Sequence, residues 1–252
     1  MDRPLYPFTA VVGQERAKQA LLCLAVEPRI GGVLLCGEKG TAKSTLVRAL
    51  GGLDGVRLLE LPVSATEDML LGGVELEAAV RTGCRTFQPG LLARADGAVL
   101  YADEVNLLPS ALTAALLDTL ETGVCRVERD GISHTCPARF ALVGTMNPEE
   151  GTLRPQLLDR FGLYVAVTGE REARKEVVRR RLAFEETPAA FRAQWARREE
   201  RLAGQLAAAR ALLPQVDVGE AEEQAACLLA RQANAAGHRA ELAILHTARA
   251  LA

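Results

Sequence analysis

A chain of 252 residues holds material for one large domain, or for a large and a small one, each with its own core. With 25% charged residues and a formal net charge of −2, bulk charge offers no surface for nucleic acid or for anionic membranes. Apolar stretches are cut by Glu27, Pro28, Arg29 or glycines before the about 18 residues that a membrane span needs. Met1 to Phe8 carries no basic-plus-apolar signal pattern, so no membrane partner is expected and the cytoplasm is the expected compartment.

The first predicted element with chemical content is a strand. Residues 33–45 read VLLCGEKGTAKST: Val33, Leu34 and Leu35 predict a short buried strand, Gly37 and Gly40 let the chain wrap an anion, and Lys43-Ser44-Thr45 open a helix. Strand, glycine-rich loop and helix, in that order, are the context a nucleoside triphosphate site needs. Backbone N–H groups from Gly37, Glu38, Lys39, Gly40, Thr41, Ala42 and onward to Thr45 are expected to nest the phosphates at the helix N-terminus. Lys43 is expected to reach the β and γ phosphates and the Ser44 hydroxyl to bind Mg²⁺, a hard cation that prefers oxygen. Ala42 departs from the pattern, which has glycine before the lysine. Lysine is scarce, with only Lys18, Lys39, Lys43 and Lys175 among 30 basic residues, so one in this turn carries weight.

Residues 98–104, AVLYADE, predict an apolar strand ending in two carboxylates. Asp103 is expected in the Mg²⁺ shell, and Glu104 is expected to orient or deprotonate the attacking water. The competing reading makes either one a helix N-cap. Next, Cys125 and Cys136 lie equidistant from Asp130-Gly131; a two-residue turn there sets them opposite each other, as a reduced pair or, on oxidation, as a staple. The six cysteines form no CxxC pair and no cysteine-histidine cluster, so a structural zinc site is not expected. A third strand, from Phe140 to Thr145, ends at Met146-Asn147-Pro148. Asn147 is a candidate γ-phosphate sensor with Thr145 as competitor, unless Asn147-Pro148 only starts a turn. Arg160 follows Leu157-Leu158-Asp159; it is a candidate arginine finger or a surface partner of Asp159.

From Glu170 to Ala252 the chain is rich in alanine, leucine, arginine and glutamate and predicts helices, cut at Pro188 and Leu213-Pro214. The stretch from about Ala189 to Leu212, with Trp195, reads as a solvated helix or a partner surface. The predicted organisation is a nucleotide-binding α/β domain over residues 1–169 and an all-helical lid over 170–252.

Together these stretches resemble the AAA+ ATPase subunit of magnesium chelatase and its cobalt-chelatase relatives. The likeness runs through YPFTAVVGQERAKQAL, GEKGTAKST, LPVSATEDMLLGG, FQPGLLARADGAVLYADEVNLL, GTMNPEEGTLRPQLLDRFGL and GHRAELAILHTARALA. The resemblance implies a P-loop AAA+ fold: a parallel sheet between helices, an insert in the second helix over residues 64–92, a hairpin over 122–138 before the first sensor, and a helical lid. It implies that Val12-Gly13-Gln14 meets the adenine, that Asn147 is the first sensor, that Arg160 is a finger supplied across a subunit boundary, and that Arg239 is the second sensor. It implies ATP and Mg²⁺ as cofactors and further lid helices beyond Ala252. It also implies a homo-oligomeric ring, expected as a hexamer, working with a subunit that carries a von Willebrand-type domain and with a large porphyrin-binding subunit. The expected function is ATP hydrolysis that drives metal insertion into a tetrapyrrole. A MoxR-like machine acting on a protein client is the nearest alternative. A DNA motor is disfavoured because Arg126 and Arg129 are offset by Glu128 and Asp130, and a barely hydrolysing scaffold because Lys43, Asp103, Glu104 and Arg160 are intact.

Overall fold

The chain's most apolar runs become strands buried on both faces. In the computed structural model, which describes residues 4–74, 87–129, 132–170, 172–235 and 237–252, helix α1 (Glu15–Val26) leads into β1 (Gly32–Cys36). There follow α2 (Lys43–Leu50), β2 (Leu58–Leu61), α3 (Glu67–Leu71), β3 (Gly72–Val74), β4 (Phe87–Pro89), α4 (Leu91–Arg94) and β5 (Val99–Ala102). Next come α5 (Ser110–Thr122), β6 (Val124–Arg129), β7 (Ile132–Pro137), β8 (Ala141–Met146), α6 (Pro155–Leu158) and β9 (Leu163–Ala166). The rest is helical: α7 (Arg174–Glu186), α8 (Pro188–Leu212), α9 (Glu220–Gln232) and α10 (Arg239–Leu251).

Five strands form one parallel sheet in the order β2-β5-β8-β1-β9. Strand periodicity feeds two cores at once. Val33 and Leu35 of β1, with Val99, Ala141 and Val143, face the layer holding α1 and α2. Leu34, Cys36, Leu100 and Leu142 face the layer of α3, α4 and α5. Helix α1 supplies Ala17, Ala20, Leu21 and Leu24, the i, i+3, i+4, i+7 stripe of a half-buried helix. β1 lies between β8 and β9, and the loop that follows it leaves from the carboxyl edge of the sheet, the edge at which parallel α/β sheets bind their ligands. The loop leaving that end crosses the end of β9 so closely that a side chain on Gly37 would collide with the Val167 carbonyl.

Two small antiparallel pairs decorate this frame. β3 pairs with β4 inside the 64–92 insert, whose residues 75–86 lie outside the described ones. β6 pairs with β7 in the register read from the sequence, Cys125 opposite Cys136, although the Asp130-Gly131 turn itself lies outside the described residues. Both thiols are free. Cys125 is fully buried, and burial pushes its thiol up to about 11, so it holds little thiolate near neutral pH.

Helix α8 is not the solvated rod its sequence suggests. Phe191 and Leu206 are buried, and Phe191 joins Tyr6 and Phe184 in an aromatic cluster. Its Glu199 carboxylate accepts the backbone N–H groups of Phe8 (3.1 Å) and Thr9 (2.7 Å), tying the N-terminal segment down. Helix α10 packs on α1 and the following turn, where Glu27, 2% exposed, takes a two-bonded contact from Arg29 and lies 3.6 Å from Arg249. No helix among the described residues is long and apolar enough to cross a membrane.

Candidate functional site

The loop from Gly37 to Ala42 turns back on itself because its backbone changes hand. Gly40 (φ +82°) and Ala42 (φ +65°) are both left-handed, the alternation that turns successive N–H groups toward one centre. For Ala42 this is a strained conformation, about 1–2 kcal/mol above what glycine would have, which is what the departure from glycine noted in the sequence costs. Helix α2 starts at the next residue. Lys43 lies inside the loop, its Nζ donating to the carbonyls of Gly37 (2.6 Å) and Glu38 (2.7 Å). Burial pushes its pKa below the usual lysine value against the pull of Asp103, Glu150 and Glu104.

Across the cleft, the end of β5 brings Asp103 to the start of α2. Ser44 Oγ donates to Asp103 Oδ1 at 2.9 Å and Thr145 Oγ1 donates to the same oxygen at 2.5 Å, while Arg48 reaches Oδ2 at 3.2 Å. Burial works against the ionised carboxylate, but these bonds and the Arg48 charge outweigh it and hold its pKa below the usual range. The hydroxyl of fully buried Tyr101 points at this group without closing a well-aligned hydrogen bond. Neither carboxylate caps the next helical turn with its side chain, which removes the capping alternative. Glu104 sits in left-handed backbone (φ +49°), its N–H donating to Thr145 Oγ1 at 3.2 Å. Gln14, Ala42 and Glu104 are three of the four non-glycine left-handed residues among those described. Such strain collects where a surrounding structure enforces a functional geometry.

These groups line a cleft of about 190 Å³ running from Lys39 to Thr45 and on to Asp103, Glu104, Thr145 and Asn147. Asn147 is buried, and its side chain also accepts from Glu149 N at 3.3 Å, so the turn-starting role is present alongside the position in the cleft. A second cavity of about 150 Å³ continues from the same loop residues to Val12, Gln14 and Glu170. Gly13 (φ +64°) is needed there twice over, since the Glu170 carboxyl fills the space of a side chain, and Glu170 accepts Gln14 N–H at 2.9 Å. The residues present fit ATP and Mg²⁺: the N–H nest and Lys43 suit phosphates, and the Ser44–Asp103 pair sets two oxygen donors side by side, as a hard cation requires.

Arg160 and Arg239 are elsewhere. They share a cavity of about 690 Å³ with Gly31, Phe140 and Gly162, the residues that precede β1, β8 and β9. The cavity therefore lies at the amino edge of the sheet, whereas the phosphate cleft lies at the carboxyl edge, a five-residue strand or about 17 Å away. Arg160 does not pair with its neighbour Asp159. It donates to Glu121 at 2.8 Å with its buried Nε unpartnered, while Asp159 pairs with Arg239. Two residues around the site escape a reading of the sequence alone: Glu150, which pairs with Lys39 and whose only signal is its place in the NPEEG run, and Glu170, which lines the second cavity and has none.

Fold and site define a P-loop ATPase of the AAA class, and the AAA domain (dynein-related subfamily) matches residues 32–161. The chain is 42% identical to the magnesium-chelatase 38 kDa subunit of Rhodobacter capsulatus, over 99% of this chain and 81% of that protein. It is 39% identical to a magnesium-chelatase subunit ChlI homolog of Methanocaldococcus jannaschii, over 98% and 79%. A solved assembly of the magnesium-chelatase subunits BchI and BchD contains a chain that matches at a TM-score of 0.58 and 38% identity, covering 98% of this chain and 95% of that one. The chain belongs to the family of magnesium-chelatase AAA ATPase subunits. It is also 51% identical, over 97% of its length, to an uncharacterized Mycobacterium tuberculosis protein, Rv2850c, of which it spans 40%.

Proposed function

We propose that this chain hydrolyses ATP as one member of a homo-oligomeric ring, expected to have six subunits, and that the ring drives insertion of a metal, Mg²⁺ first among candidates, into a tetrapyrrole held by a partner subunit. The observation that carries the reading is the separation of the phosphate cleft from the arginine cavity by the length of a strand. Neither half serves phosphoryl transfer alone, and a ring sets the arginine edge of one copy against the cleft of the next.

In this reading Lys43 and the loop N–H groups hold the triphosphate, Ser44 and Asp103 hold Mg²⁺, and Val12-Gly13-Gln14 meets the base. The metal ion, when bound, neutralises charge on the phosphate oxygens. Glu104 holds and deprotonates the attacking water, Asn147 orients it, and Arg160 and Arg239 stabilise charge on the neighbour's phosphates. Residues 1–169 act as the nucleotide-binding core and 170–252 as its lid, in the cytoplasm. A subunit with a von Willebrand-type domain and a large porphyrin-binding subunit are the expected partners, consistent with the BchI–BchD pairing of the structural neighbour. Nucleic acid is not an expected partner, because Arg126 and Glu128 project from the same exposed face of the hairpin and cancel.

One observation favours a second client. The match to the Rhodobacter subunit spans 285 positions, which exceeds the 252 residues of this chain by 33, so that relative carries segments this chain lacks. The match to the uncharacterized mycobacterial protein spans 254 positions over 97% of this chain and needs far fewer, about ten. Reconstitution separates the readings: ATP-dependent metal insertion with candidate large and linker subunits is expected, and robust ATPase activity without insertion under every combination points to a remodelling ATPase with a protein client.

A further inference from the structure

Lys39 stands at the mouth of the phosphate cleft, yet its ammonium is held by the Glu150 carboxylate from the loop after β8. Among the described residues, Oε2 of Glu150 itself and both Oδ1 and Nδ2 of Asn106 are buried without a hydrogen-bond partner. The Asn106 amide adjoins the same loop, since a side chain built on Gly151 would come within 3.8 Å of its Nδ2. Buried amides and carboxylates are seldom left unpaired, because each lost partner costs the desolvation of the group. An amide with a donor and an acceptor both unpaired, facing the loop that carries a carboxylate with one oxygen engaged, offers that carboxylate a second position to occupy. The existing bond is exchangeable: Lys39 is 68% exposed, and exposed ion pairs are weak and easily replaced by a more highly charged partner. A triphosphate is such a partner.

We propose that Lys39 is a phosphate-binding cation and Glu150 its keeper: Glu150 holds Lys39 until a triphosphate takes it, and the released carboxylate moves onto the amide of Asn106. The inference rests on the cleft being a nucleotide site, as argued above. It makes Glu150 a positioning residue that acts through Lys39, and it makes the exchange sensitive to the terminal phosphate, because one further phosphate brings the added charge that competes for the ammonium.

The test is binding rather than turnover. Dissociation constants for Mg-ATP and Mg-ADP are measured by titration calorimetry on the full chain, with thermal midpoints recorded to verify folding. Glu150→Gln is expected to tighten ATP about threefold to fivefold, the scale of an exposed ion pair, and ADP by less than about half of that. Lys39→Ala weakens ATP by a similar factor, and Lys39→Ala with Glu150→Gln matches Lys39→Ala alone, as coupled partners must. Asn106→Ala weakens ATP, and does so only while Glu150 is present. Equal effects of Glu150→Gln on ATP and ADP, no effect on either, or the same tightening in the Lys39→Ala background each overturn the exchange. A wild-type chain that binds neither nucleotide would instead remove the underlying assignment of the cleft.

Discussion

The phosphate cleft and the arginine cavity are built from the same sheet but by opposite logic. At the carboxyl edge, local sequence does nearly everything: Gly37 to Thr45 form the loop and Asp103 meets Ser44 at 2.9 Å. At the amino edge, residues from five separate segments converge, and the two cations are held by Glu121 and Asp159, both more than half exposed. The cleft is rich in carboxylates around one buried lysine, whereas the cavity offers guanidinium groups and no N–H nest. In the proposed reading one edge binds phosphate, and the other supplies positive charge to offset the negative charge that phosphoryl transfer develops on a neighbour's nucleotide. A single copy holds both edges and joins neither.

The sharpest way to break that comparison is Arg160→Ala, which is expected to lower ATP turnover by about 10³ to 10⁵, the range for an arginine finger, with ATP affinity little changed. Mixing it with Lys43→Ala, inactive for a different reason, should restore part of the activity, because a mixed ring contains boundaries with an intact cleft on one side and an intact arginine on the other. No recovery at any ratio, with both variants still assembling, would place Arg160 outside the reaction. Glu104→Gln comes next: turnover is expected to fall about 10² to 10⁴, as for loss of a general base, while calorimetry finds ATP binding preserved. Full activity in that variant would leave the base unassigned.

A smaller effect sharpens the cleft side. Ala42→Gly relieves a left-handed backbone and is expected to stabilise the fold by about 1 kcal/mol, the αL penalty less the entropy of the added glycine. That corresponds to about 2–4 °C in the thermal midpoint of a chain this size, read by scanning calorimetry. An unchanged or lower midpoint would mean the loop does not hold this conformation in solution.

These two edges also differ in how far the sequence reveals them. β1, the loop and α2 follow from one continuous segment, because glycines, a lysine and an apolar run specify their own geometry. The Cys125–Cys136 register follows from counting back from a turn. Arg160 and Arg239 show nothing comparable: they are 79 positions apart, and what brings them together is the packing of α10 beside the start of β9. Glu150 and Glu170 are hidden for the same reason, since an exposed-looking acidic residue acquires its role only from the neighbour the fold supplies. The helical stretch containing Glu199 reads as solvated because its seven charged residues outnumber its five large apolar ones, yet Phe191, Leu206 and Glu199 suffice to fasten it.

The helical packing that builds the arginine edge carries a titratable group, and here the expected effect is smallest. His246 of α10 lies 3.9 Å from Glu27 and near Arg29 and Arg249. Burial pushes its pKa below the usual 6.5, and the two arginines add to this against the pull of Glu27. A depressed histidine pKa means that the unfolded chain takes up the proton first, so stability is expected to fall as pH drops below 6.5 and to level off below the folded-state value. Glu27 is shifted the same way: burial opposes its charge, but the Arg29 bonds prevail, so its contribution is present above 4.5 and lost at lower pH. His246→Gln removes the first of these steps and keeps the second. Thermal midpoints between pH 7.5 and 5.5 should therefore decline in the wild type and stay flatter in the variant, and parallel curves would show that α10 is held by its apolar contacts alone.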